Sequence, residues 1–105
     1  MENKNAYRKM QSETILAQMG GRRLLLMTGA EANIGQDKDG RAELTLALRS
    51  IRKAFRVTLR NDLYDIEFFR VSRTGEKIIL NSVEGVYADN LVEIFERWSG
   101  LRASL

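Results

Sequence analysis

Between Ala54 and Phe68 the chain alternates apolar and polar residues on either side of one short break, Asn61-Asp62. Phe55, Val57 and Leu59 interleave with Arg56, Thr58 and Arg60 before the break; Tyr64, Ile66 and Phe68 interleave with Asp65 and Glu67 after it. Side chains of a β-strand point to opposite faces with a period of two, and Asn and Asp tolerate the positive φ of a two-residue hairpin turn. The pattern predicts a hairpin with a definite register. Leu59 lies opposite Tyr64, Val57 opposite Ile66 and Phe55 opposite Phe68 on an apolar face; Thr58 faces Asp65 and Arg56 faces Glu67 on the other. A slip of one residue would exchange the two faces, so no neighbouring register is acceptable.

The rest of the chain is read outward from this hairpin. No proline interrupts it, which leaves long strands possible. From about Asn5 to Met19 the spacing predicts a helix, with Tyr7, Met10, Thr14 and Ala17 on an inner stripe that Ile15 and Leu16 widen. Ser12 and the charged residues are assigned to water, and Gly20-Gly21 ends the helix. The apolar run Leu24 to Thr28 reads as a buried strand, and Glu31 to Arg41 as a polar loop. Ala42 to Arg49 alternates as a strand, Ala42, Leu44, Leu46 and Leu48 pointing one way, and Ser50 to Lys53 is a basic connector. After Phe68 the apolar phase changes, since Phe69, Val71 and Ile78-Ile79-Leu80 do not continue the Tyr64-Ile66-Phe68 face. A bulge near Phe68-Phe69 or a second covering layer would each account for that. A turn at Arg73 to Glu76 leads into a strand from Lys77 to about Val83, and Tyr87 to Ser99 is helical, with Leu91, Phe95 and Trp98 inward. The expected fold is a single α+β domain over residues 1–105: an N-terminal helix, an antiparallel meander of about five strands, and a C-terminal helix packed on the sheet.

Composition narrows the chemistry. There is no cysteine and no histidine, so thiol nucleophiles, disulfides and Ser–His or Cys–His pairs are excluded. Zinc would have to be held by carboxylates alone. Acid–base work would fall to Asp, Glu, Lys or Tyr, and a deep pocket lined by carboxylates would be its signature. The expectation is a protein that is not an enzyme and uses no cofactor. No apolar run approaches the ~20 residues that cross a bilayer, and Met1 to Asn5 does not read as a signal peptide. A cytoplasmic location without membrane contact follows as the expectation.

Two surfaces remain as binding candidates. The first half of the chain, residues 1–53, holds ten Lys and Arg against six Asp and Glu; residues 54–105 hold seven against eight. Arg49, Arg52, Lys53, Arg56 and Arg60 would form a basic stripe suited to phosphates and hence to nucleic acid. Cross-strand carboxylates opposite Arg56 and Thr58 argue instead for a solvated, internally paired face. Phe69, Val71 and Ile79, if nothing in the domain covers them, would form an apolar patch for a partner protein or a second copy. Asp37, Asp39 and Glu43 do not meet the spacing of a calcium loop. Of Asp62, Asp65 and Glu67 the first sits in the hairpin turn while the other two face basic neighbours, so no metal is expected at either set. Met27-Thr28-Gly29-Ala30 lacks the further glycines and the lysine of a phosphate loop.

Four segments, Asn5 to Leu16, Met27 to Ala30, Leu63 to Phe68 and Gly85 to Asp89, resemble a group of small proteins encoded by phages and other bacterial mobile elements. The resemblance covers the whole chain and brings with it no activity, cofactor or catalytic residue. What it implies is a setting: an accessory protein in a bacterial cytoplasm, of the kind that acts by docking on a host or defence component, as anti-CRISPR proteins do.

Overall fold

The structure, a computed structural model, describes residues 4–103, with side chains from Lys9 onward. In chain order the elements are helix α1 (Lys4–Gln18), helix α2 (Gly21–Thr28), strands β1 (Glu31–Gln36), β2 (Ala42–Leu48), β3 (Lys53–Arg60), β4 (Leu63–Val71) and β5 (Lys77–Val86), a 3-10 turn (Ala88–Asn90) and helix α3 (Leu91–Ser99). The strands form one antiparallel sheet in the order β1-β2-β3-β4-β5, and helices cover one of its faces. None of the described helices is long and apolar enough to cross a membrane.

The β3–β4 hairpin has the register that its alternation dictates, with Leu59 opposite Tyr64, Val57 opposite Ile66, Phe55 opposite Phe68, Thr58 opposite Asp65 and Arg56 opposite Glu67. Asn61 and Asp62 both adopt positive φ, 50° and 66°, as a two-residue turn between right-twisted strands requires. The apolar face of this hairpin continues into Leu44, Leu46 and Leu48 of β2 and is closed by the helices. Phe55 sits at the centre, its ring 5.1 Å from Phe95, 6.2 Å from Trp98 and 6.5 Å from Phe68. Helix α3 ends where Gly100, at φ 74°, donates its N–H to the Glu96 carbonyl.

Two segments differ from the sequence reading. Leu24 to Thr28 is the body of α2, not a strand. Glycines at positive φ, Gly20 and Gly21 before it and Gly29 after it, set it off as one short helix. Only Leu24 and Thr28, one turn apart, are buried, and Leu26 and Met27 face out. The Thr28 hydroxyl donates to the Leu24 carbonyl and accepts from the Ala30 amide, which satisfies the helix end. A five-residue apolar run fits either structure, and here the i, i+4 pair decides. The missing strand is instead Glu31–Gln36, placed in the sequence reading inside a loop. It is an edge strand, so it needs only Ala32 and Ile34 to alternate toward the helices. The true turn is narrower, with the Asp37 carboxylate accepting the amides of Asp39 and Arg41 and Gly40 at φ 78°.

Helix α1 is present but turned about its axis from the expected face. Ser12, Ile15 and Met19 are buried, while Met10, Thr14 and Ala17 face solvent; the side chain of Tyr7 lies outside the described residues. Ser12 enters the core because its hydroxyl finds an acceptor there, the Gly35 carbonyl of β1 at 3.3 Å. Across the sheet, Gln18 accepts the Tyr64 hydroxyl at 2.7 Å.

Candidate protein-binding face

The helices leave the other sheet face open, and the register sorts it into rows. Nearest the β3–β4 turn lie Gly35, Glu43, Thr58 and Asp65; next come Asn33, Thr45, Arg56, Glu67 and Ser82. The third row is Glu31, Ala47, Ala54, Phe69 and Ile79, and beyond it stands Val71 with Lys77.

The first two rows are a lattice of charges. Arg56 reaches Glu43 at 3.4 Å and Glu67 at 3.9 Å and donates to the Thr45 hydroxyl at 3.2 Å. Lys77 pairs with Glu67 from β5. At the turn end Arg60 makes two hydrogen bonds to Asp65, at 2.6 and 3.1 Å, and lies 3.6 Å from Glu84. The Asp37–Arg41 turn and Ser82 to Glu84 wall this end into an open groove of about 830 Å³. Six carboxylates line it: Asp37, Asp39, Glu43, Asp65, Glu67 and Glu84. Each lies within ion-pair distance of an arginine or lysine, the arrangement of a solvated sheet face.

Asp65 also fixes the geometry of β5. Its carboxylate accepts the Gly85 amide at 3.1 Å, where an extra β5 residue interrupts the pairing and Gly85 takes φ 70°. The hydrogen bond from Arg60, helped by that from Gly85 and opposed by partial burial, holds the Asp65 carboxyl below its ordinary range. Because the folded value is the depressed one, Asp65 contributes stability that is complete above the unfolded carboxylate range. That contribution is lost as pH falls through the lower folded value. Urea titrations of Asp65→Asn and the parent protein should therefore differ most at neutral pH and converge as pH drops below about 4. The side chain is partly exposed, so the neutral-pH difference is small, about 1 kcal/mol or less.

The five basic candidates do not make one stripe. Arg56 and Arg60 are held by carboxylates as above. Arg49 pairs with Glu31 at 2.9 Å, and Arg52 lies in the β2–β3 turn at φ 56°. Lys53 pairs with Leu48 and so belongs to the helix-covered side, its ammonium 5.8 Å from the Phe68 ring. Strand alternation separates Lys53 from Arg56, which the linear sequence conceals.

The apolar candidates do come together. Phe69 and Ile79 are direct partners on the open face, with Val71 beside them. The change of apolar phase has its cause here. The β3–β4 ladder runs unbroken through Ala54–Phe69, which sends Phe69 to the open face, and the bulge between Phe68 and Phe69 lies on the β5 side, at Leu80. Phe69 itself is covered, only 6% exposed, because Arg56 and Lys77 lie over its ring at 4.9 and 4.8 Å. Val71 and Ile79 are not covered, at 61% and 46% exposed. Sequence reasoning missed Ala47 and Ala54, which extend the patch across β2 and β3 and line a shallow recess of about 230 Å³ with Phe69, Val71, Arg49 and Arg52. The signal was available, since the hairpin register puts Ala54 opposite Phe69.

Compared with protein-family models, curated proteins and solved structures, the chain gives no match.

Proposed function

We propose that this chain is a non-catalytic accessory protein that acts by protein–protein contact through its helix-free sheet face. The observation that carries the reading is the cross-strand row Ala47, Ala54, Phe69 and Ile79 with Val71 at its end. Phe69 in this row is covered by Arg56 and Lys77, but Val71 and Ile79 beside it are exposed, and exposed apolar residues grouped on a solvated sheet face suit a partner. Arg52, which lines the recess beside the row and pairs with no carboxylate among the described residues, favours a partner surface with a carboxylate beside an apolar anchor. The non-catalytic part of the reading rests on the absence of histidine and cysteine and on the pairing of the groove carboxylates. The resemblance to phage and mobile-element proteins supplies the setting, a bacterial cytoplasm, and the class of partner, a component of a host defence complex.

A second reading, nucleic-acid binding, keeps one observation: among the described residues Arg52 and Lys53 pair with no carboxylate. Capture from a lysate of the source bacterium with the tagged protein, with and without nuclease, separates the two. A stoichiometric protein retained after nuclease supports contact with a protein; retention that disappears with nuclease or with moderate salt transfers the function to the β2–β3 turn.

A further inference from the structure

The two edges of the sheet are built differently. On β5 the pairing is interrupted twice, at Leu80 and at Gly85, and bulges and charges are the devices that keep an edge strand from recruiting another. On β1 all six residues pair with β2 without interruption, and the strand holds no proline, lysine or arginine. Its one charge, Glu31, is held by Arg49.

The hairpin turn determines which β1 groups point outward. The Asp37 amide donates to the Arg41 carbonyl, so hydrogen-bonded pairs with β2 recur at Gly35, Asn33 and Glu31, and the amides and carbonyls of Ala32 and Ile34 face away from the sheet. We infer that β1 pairs antiparallel with β1 of a second copy, Ala32 opposite the copy's Ile34, with the two-fold axis passing between the Asn33 residues. That register forms four backbone hydrogen bonds. It also matches faces, since Ala32 and Ile34 lie on the helix side in both copies, so Ile34, now 39% exposed, joins a continuous apolar layer. Glu31 meets Gly35, which avoids a like-charge contact, and the interface is isologous, as a two-fold dimer requires. The second copy is the occupant because the strand is complementary to itself in register, face and charge. β1 meets the apolar row at Glu31, opposite Ala47, but the exposed apolar residues Val71 and Ile79 lie across the sheet on β4 and β5, so either proposal can fail without the other.

The chain has no cysteine, which makes the test direct. Residues opposite each other in a non-hydrogen-bonded antiparallel pair have Cα atoms about 4.5 Å apart, within disulfide reach. Asn33→Cys is expected to cross-link to itself under mild oxidation, and Ser82→Cys on β5 is not. The wild-type mass by light scattering should rise from 12.0 kDa toward twice that value with concentration. Ile34→Pro removes only an outward amide and should abolish the rise; Ile34→Lys serves the same purpose should the proline variant not fold by circular dichroism. A mass that stays at the monomer value at all concentrations, N33C cross-linking no faster than S82C, or a dimer that survives in the folded Ile34 variant, overturns the inference.

Discussion

Replacing Phe55 with alanine should remove a large part of the stability of the domain. The ring is fully buried and touches Phe68, Phe95 and Trp98, so it joins β3, β4 and α3 at one point. Truncation loses the transfer free energy of the ring and leaves a cavity that three other rings cannot all collapse into. The cost for such a residue is about 3–5 kcal/mol. A chain of this size has a total of about 5–15 kcal/mol, and each kcal/mol moves the melting temperature by roughly 4–8 °C. Thermal and urea unfolding of Phe55→Ala should place it well below the parent in both. A loss under about 1 kcal/mol would mean that the aromatic cluster is not where helix and sheet are joined.

A second large effect separates the two faces of α1. Ile15→Asp puts a carboxylate into the apolar cluster that holds Met19, Leu24 and the leucines of β2. The lost burial and the stranded charge together should cost at least about 4 kcal/mol. Met10→Asp, on the opposite side of the same helix and 60% exposed, should change stability by no more than about 0.5 kcal/mol. Urea denaturation of both variants checks the pair. The reverse order of costs would show that α1 packs with the other stripe inward, and equal costs would show that neither stripe is preferentially buried.

That contrast also explains what the sequence could and could not reveal. Alternation has a unique solution where one face is buried and the turn length is known, so the β3–β4 hairpin was readable residue by residue, including its ion pair of Arg56 with Glu67. A helix period, by contrast, fits several stripes at once. Tyr7, Met10, Thr14 and Ala17 satisfy it as well as Ser12, Ile15 and Met19 do, and the choice turns on a serine whose hydroxyl donates to a strand carbonyl distant in sequence. The apolar run at Leu24 carries no period, and β1 is disguised by its edge position, where four of six residues are polar or glycine. Of the candidate surfaces, Phe69, Val71 and Ile79 were visible as a break in phase. Of the basic stripe, the Arg56 pairing with Glu67 was readable from the hairpin, while the partners of Arg49 and Arg60 and the position of Lys53 on the other face needed the rows of the sheet.

The central claim is that a partner protein docks on the apolar row. Val71→Glu with Ile79→Glu changes two exposed side chains and should leave the fold intact, at a stability cost below about 1 kcal/mol per residue. The decisive measurement is the affinity of the partner captured after nuclease treatment for this double variant, beside the wild type and beside Arg52→Glu with Lys53→Glu. The account predicts that the row variant binds about 100-fold more weakly, the loss expected when a buried anchor is removed, while the turn variant changes affinity by only a few-fold. Unchanged affinity in the row variant, with its loss confined to the turn variant, would contradict the account and place the interface at the β2–β3 turn.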